Sequence, residues 1–172
     1  MKHHTVTDSP YGPLTLVADD GVLCGLYMTD QRHRPPEESF GPRDDTLFSE
    51  PEEQLKAYFA GELTEFTLEL RLHGTPFQRS VWDRLRTIPY GETRSYGALA
   101  DALGNPAASR AVGLANGKNP IGIIVPCHRV VGADGSLTGY GGGLHRKRRL
   151  LEFEGGAAPF QPPLCSVPSC AG

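Results

Sequence analysis

The spacing of the apolar residues changes once along the chain, at His73-Gly74, and that change constrains the fold more than any other feature. Before it, Leu14, Leu16 and Ala18 alternate with more exposed positions, and Phe66, Leu68, Leu70 and Leu72 recur at every second residue. That is the period of half-buried strands. After it, Phe77, Val81, Leu85 and Ile88 recur at helical spacing. An α+β chain is therefore expected, with a small α/β unit over 1–73 and a mainly helical unit over 74–157. The remainder, 158–172, is rich in Pro with some Ser and reads as a disordered tail.

Local signals divide the front unit further. Ser9-Pro10-Tyr11-Gly12 and Asp20-Gly21 are turn sequences, the second leading into the apolar stretch Val22 to Met28. Residues 31–48 are polar and Pro-rich and read as a surface loop. Ser49 with Glu52 matches a capping box, and Leu55, Tyr58 and Phe59 then share a helical face until Gly61. In the back unit, Thr75-Pro76-Phe77-Gln78 combines an N-cap, a first-turn Pro and a Gln at the third position. That helix closes at Pro89-Tyr90-Gly91. Ser95 caps a short helix with Leu99, Ala100 and Leu103, which Gly104 ends. Asn105-Pro106 starts another that reaches about Asn116. Two short helices around a Gly-Asn-Pro corner form a helix-turn-helix candidate. Ala107, Ala108, Ser109, Ala111 and Gly113 leave the second helix nearly free of bulk, with Arg110 its long cationic side chain. Close approach to a nucleic-acid backbone and tight helix packing both fit that composition.

Hydrophobic residues make up 38% of the chain and charged residues 22%, enough apolar material for a packed core. No apolar run approaches the ~20 residues of a membrane span, and the N-terminus lacks a signal-peptide core. The cytoplasm is the expected location. Residues 1–74 hold 6 Lys+Arg against 14 Asp+Glu, whereas residues 75–155 hold 11 against 6. A polyanion would bind the basic back half. The four cysteines, Cys24, Cys127, Cys165 and Cys170, show neither zinc-like pairing nor the density of a disulfide scaffold.

Ile121-Gly122-Ile123-Ile124-Val125 reads as a buried strand or core segment, ended by Pro126 and followed by Cys127-His128-Arg129. Only a thiolate attacks carbon efficiently, so a nucleophilic Cys needs a neighbour that takes its proton. His128 is a candidate, although adjacent residues of an extended chain point to opposite sides. A buried structural Cys fits the dipeptide as well.

The stretch Asn119 to Val130, with Pro-Cys-His-Arg and an Asn eight residues before the Cys, resembles the active-site segment of the O6-alkylguanine–DNA alkyltransferases, also called methylated-DNA–protein-cysteine methyltransferases. The likeness extends through Gly91 to Gly97, Ala108 to Gly113 and Thr138 to Gly143. It covers roughly residues 75–155, with a weaker echo at Asp8 to Leu14. The resemblance implies a ribonuclease H-like front domain and a back domain bearing the helix-turn-helix and the reactive Cys. It implies irreversible transfer of an alkyl group from O6-alkylguanine in duplex DNA to Cys127 in a single turnover, with O4-alkylthymine left open as a substrate.

Site roles follow from the same resemblance. Cys127 would be the nucleophile, His128 its base acting through a water, Glu154 the group orienting the imidazole, and Asn119 a brace. Tyr96, Val130, Tyr140 and Gly141 would line the pocket. Ala108, Ser109, Arg110 and Gly113, with Tyr96, would contact DNA in the minor groove, Arg110 filling the gap left by a flipped nucleotide. No cofactor is implied. Some family members hold zinc in the front domain, but Cys24, His3, His4, His33 and His73 do not lay onto that ligand pattern, and no metal is expected. The chain is expected to act as a monomer, with cooperative binding along DNA left open. The main rival is a protein that binds alkylated lesions without transfer, which would lack the reactive Cys. A sensor-regulator needs more domains than 172 residues hold. A cysteine hydrolase needs an oxyanion hole that the motif does not specify.

Overall fold

The computed structural model describes residues 1–155. The expected tail, Cys165 and Cys170, and residues 156 and 157 of the back unit lie outside the described residues. The front half opens with three antiparallel strands in sequence order, β1 (Lys2–Thr7), β2 (Leu14–Asp19) and β3 (Val22–Met28). Asp20 and Gly21 join β2 to β3 with φ of 50° and 81°, the left-handed pair that a two-residue hairpin turn requires.

The expected alternation along β2 is only half the picture, because both of its faces are covered. Leu14, Leu16 and Ala18 enter the main core, while Val17 joins Cys24, Tyr27 and Phe40 in a smaller cluster on the other side. Phe40 comes from the segment 31–48, which is therefore more than a surface loop. It also pairs with β1 through His4 N to Pro42 O (3.1 Å) and Asp44 N to His4 O (2.9 Å), which protects that edge of the sheet.

Helix α1 spans Ser49–Phe59, but the expected capping box is absent. Phe48, fully buried, is the N-cap, and its carbonyl accepts from the Glu52 amide at 3.0 Å. A 3-10 turn at Asp45–Leu47 runs directly into the helix and places Ser49 inside it. Gly61, at φ 78°, ends α1 as expected, with Glu62 N bonded to Ala57 O.

The expected strand over Phe66–Leu72 does not form. Its burial alternates, but it pairs with β3 only at Leu70, where Arg71 N donates to Leu23 O at 2.8 Å. The free edge of β3 is shared between two segments. Further along, Leu26 N donates to Pro120 O (2.9 Å) and Leu26 bridges to Ile121. Each of these two segments meets β3 at a single bridge. The consequence matters for function: the segment leading to Cys127 is docked on the front sheet.

The back half contains α2 (Pro76–Leu85), a two-residue strand β4 (Arg94–Ser95) and α3 (Tyr96–Ala102). It continues through α4 (Ser109–Gly117), β5 (Val130–Val131) and α5 (Leu144–Glu154). Thr75 and Gln78 form the expected capping box on α2. Phe77 departs from the expected stripe and is 36% exposed; Trp82 takes its place in the core and donates to Ala115 O on α4. One hydrophobic cluster runs from Leu14 and Leu26 through Trp82 and Val112 to Phe153, so the two halves share a core. No helix among the described residues is long and apolar enough to cross a membrane.

Candidate active site

Residues 121–125 are buried, and of the two readings left open, strand or core segment, the second holds: they form an irregular turn. Ile123 sits at φ 70°, a left-handed conformation that β-branched residues rarely adopt. The turn is closed by Val125 N to Ile121 O (3.0 Å) and by the buried Asn119 side chain. Asn119 donates to Val125 O at 2.7 Å and accepts from Ile121 N at 3.0 Å. A turn held by these hydrogen bonds thus delivers the chain to Cys127.

Cys127, His128 and Arg129 occupy a single 3-10 turn, so the extended-chain concern about adjacent residues does not arise. His128 is fully buried, and its Nε2 lies 2.8 Å from Glu154 Oε2 on the last turn of α5. A carboxylate only accepts, so Nε2 carries the hydrogen and Nδ1 presents a lone pair. Nδ1 is buried and has no protein hydrogen-bond partner. Arg129 closes a two-pronged ion pair on Glu154, at 2.8 Å to Oε1 and 3.0 Å to Oε2, and donates its remaining prong to Ile88 O. The Tyr58 hydroxyl from α1 also donates to Glu154 Oε2.

Burial sets the resting protonation. It pushes the Cys127 thiol above its ordinary value, against the Asn119 hydrogen bond and the Lys147 charge, which pull it down. It pushes the His128 imidazole below its ordinary value, against the pull of Glu154. Burial also opposes the Glu154 charge, but His128 and Arg129 outweigh it and hold the carboxyl at about 2. The resting site is a neutral thiol and a neutral imidazole, backed by an ionised carboxylate.

The wall near Cys127 joins several elements. Tyr96, first residue of α3, donates to Thr138 O at 2.9 Å. Lys147 on α5 donates to the same carbonyl at 2.6 Å; its side chain is buried, which lowers its ammonium to about 8. Burial, and then the nearby Cys127, raise the Tyr140 hydroxyl well above its ordinary value. Gly141 O accepts from Arg32 N at 2.8 Å, tying this wall to the front half. A Cβ at Gly142 would lie 2.6 Å from Met28 Sδ, so a side chain there cannot fit without displacement. Val130 is buried beneath, paired through β5 with β4.

Helices α3 and α4 meet at the expected corner, with Gly104 at φ 79° and Ser95 capping α3. The expected second helix begins as a 3-10 turn, Pro106–Ala108, and continues as α4; its small residues divide between two sides. Ala108, Ser109 and Gly113 are half-buried, Gly113 facing the Tyr96 ring, whereas Ala107, Arg110, Ala111 and Leu114 are exposed. Asn116, buried on α4, donates to Cys127 O at 3.3 Å and so links this helix to the reactive turn. No group of three or more His, Cys, Asp or Glu side chains able to hold a metal occurs among the described residues.

Comparison with known proteins places this geometry. Residues 76–156 match the DNA-binding domain of 6-O-methylguanine DNA methyltransferase, and residues 2–72 match the ribonuclease-like domain of the same family. The chain belongs to that methyltransferase family. The methylated-DNA–protein-cysteine methyltransferase of Mycobacterium tuberculosis is 60% identical over 159 residues, spanning 92% of this chain and 96% of that protein. The one from Methanosarcina acetivorans is 50% identical over 154 residues, spanning 89% and 98%. A crystal structure of Mycobacterium tuberculosis OGT in complex with DNA has a TM-score of 0.87, covering 91% of this chain and 95% of that one. The fold is the family's two-domain arrangement, a small-sheet domain followed by a helical DNA-binding domain.

Within this methyltransferase family framework, sequence reasoning missed Tyr58, Asn116, Arg129 and Lys147. Arg129 lies inside the Pro-Cys-His-Arg motif, but its partner Glu154 is 25 residues further on, so nothing local marks the pair. Lys147 lay in a run of basic residues that resembles a solvated face. Tyr58 was read only as part of an apolar helix face, and nothing local marks its hydroxyl as partnered 96 residues away.

Proposed function

We propose that the chain repairs O6-alkylguanine in duplex DNA by moving the alkyl group irreversibly onto Cys127. The observation that carries this reading is the buried His128, whose Nε2 hydrogen is held by Glu154 while its Nδ1 is left without a protein partner, in the same 3-10 turn as the protonated thiol of Cys127. Through a water, Nδ1 takes the Cys127 proton as the substrate arrives. Sγ then attacks the alkyl carbon, the carbon–O6 bond breaks, and its electron pair leaves with guanine. The proton that guanine takes up balances the one the thiol lost. Asn119 and its turn fix the nucleophile, and the imidazolium formed is stabilised by Glu154, the division of labour of a nucleophile–base–orienter triad.

The alkyl-bearing base reaches this site by rotating out of the duplex. Helix α4 enters the minor groove, whose width of ~6 Å suits Ala107 and Ala111 beside Arg110. Arg110 fills the vacated stack, while Tyr96 presses on the neighbouring phosphate. Tyr140, Val130 and the Gly141 backbone receive the flipped guanine, while Ala108, Ser109 and Gly113, small and half-buried, join Arg110 and Tyr96 in the contact with DNA. Flipping costs a few kcal/mol and least for a badly paired base, which favours the lesion before any contact to it. The protein acts in the cytoplasm as a monomer without cofactor.

A thioether does not release its alkyl group, so a fixed amount of protein given excess O6-methylguanine duplex should consume one lesion per molecule and then stop. Continued consumption would show turnover and sink the single-use reading. Arg110→Ala should slow repair of duplex DNA by about 10–100-fold, the equivalent of a few kcal/mol of flipping support. The same variant should react with free O6-benzylguanine at nearly the wild-type rate. Equal slowing on both substrates would remove Arg110 from the flipping step.

A further inference from the structure

The Glu154 carboxylate that holds His128 receives a donor from the other half of the molecule. Oε2 accepts from His128 Nε2, from Arg129, and from the hydroxyl of Tyr58 on α1. Tyr58 is fully buried, and its ring sits among Phe59, Phe66, Tyr90 and Phe153 at centroid distances of 5.2, 5.3, 6.2 and 5.5 Å. Phenylalanine would fill that aromatic site equally well. The hydroxyl adds a desolvation cost, which only its bond to Glu154 offsets.

We infer that Tyr58 is a positioning residue for alkyl transfer, its hydroxyl fixing the Glu154 carboxylate and, through it, the orientation and basicity of His128. The ribonuclease-like half then takes part in the proton-transfer step as well as in packing. This inference rests on the reading of His128 as the base. An oxygen shared among three donors pulls less strongly on each of them. Without the Tyr58 hydroxyl, Glu154 becomes a stronger partner for an imidazolium, so His128 holds its proton to higher pH. The titratable and charged groups around the His128–Glu154 pair are Tyr58 from α1, Tyr11 from the turn before β2, Tyr90 from the loop after α2, Arg129 from the reactive turn with Cys127 beside it in the chain, Tyr140 from the loop before α5, and Lys147 from α5. Among them only the Tyr58 hydroxyl and Arg129 share Oε2 with His128.

The test is the pH dependence of the single-turnover rate with free O6-benzylguanine, which needs no flipping, on the full chain carrying Tyr58→Phe. The rate near neutral pH should fall about tenfold, a modest share of a general base's contribution. The acid limb of the profile should move to higher pH, with binding to an O6-methylguanine duplex unchanged. An ortho-fluorinated tyrosine at position 58 keeps the hydroxyl and strengthens it as a donor, and should move the limb to lower pH. Unmoved limbs in both variants, whatever their thermal stability, would overturn the inference and leave Tyr58 as packing. Glu154→Gln in parallel separates the two levels. If it too leaves rate and profile unchanged, the His128 reading falls together with the Tyr58 inference. If it alone alters them, only the Tyr58 inference falls.

Discussion

Cys127→Ser is expected to reduce alkyl transfer below detection while leaving lesion recognition intact. The side chain is 5% exposed, and serine is close to it in volume, so the turn held by Asn119 should survive. What changes is the nucleophile. A neutral imidazole already has to work against burial to deprotonate the thiol, and a hydroxyl is far harder to ionise. Gel-shift affinity for a duplex with one O6-methylguanine should stay within a few-fold of wild type while transfer vanishes. Loss of both would mean that Cys127 is structural, and retained transfer would mean that another atom accepts the alkyl group.

Glu154→Gln is expected to damage stability and rate together. The carboxylate is the counter-charge of Arg129, whose side chain is 8% exposed against 1% for Glu154. Removing one partner of a buried ion pair leaves the other charge uncompensated and costs about 3–5 kcal/mol. Transfer should fall by about 10²–10⁴-fold, the range of a general base's contribution, because an amide does not stabilise the imidazolium. The same group governs acid stability. Its carboxyl titrates at 4.5 when free and at about 2 in the folded protein. A depressed carboxyl contributes stability that is fully present above the free value and is lost as pH falls through the folded one. About 3 kcal/mol should therefore disappear between those two pH values. Urea midpoints followed down that window should fall more steeply for wild type than for Glu154→Gln. Parallel slopes would show that Glu154 is not held ionised by its partners.

The parts of this protein legible in the sequence are those whose causes are local. Thr75 and Gln78 cap α2 because both partners lie within one helical turn, and Asp20-Gly21 turns because its own backbone can. The reactive turn was not legible in this way: the Cys-His dipeptide fits a structural Cys as well, and the roles of Asn119, Cys127 and His128 were given by the family resemblance. Errors arose where a distant segment decided the outcome. Residues 66–72 have a strand's alternation, but their only bridge to β3 is at Leu70, and no ladder follows from it. Ser49 looks like an N-cap, but the buried Phe48 fixes the start of α1 one residue earlier. Phe77 fits the α2 stripe, yet Trp82 fills the core because Ala115 O on α4 accepts its indole hydrogen. The Tyr58–Glu154 contact belongs to the same class, joining two halves that local patterns describe separately.

The central claim is that Cys127 accepts the alkyl group and keeps it. Intact-protein mass spectrometry after incubation with an O6-methylguanine duplex, followed by peptide mapping, tests it most directly. The account predicts a single added methyl, located on Cys127 and saturating at one per protein. An unmodified protein that still shifts the damaged duplex on a gel would contradict it and make this chain a lesion binder without transfer.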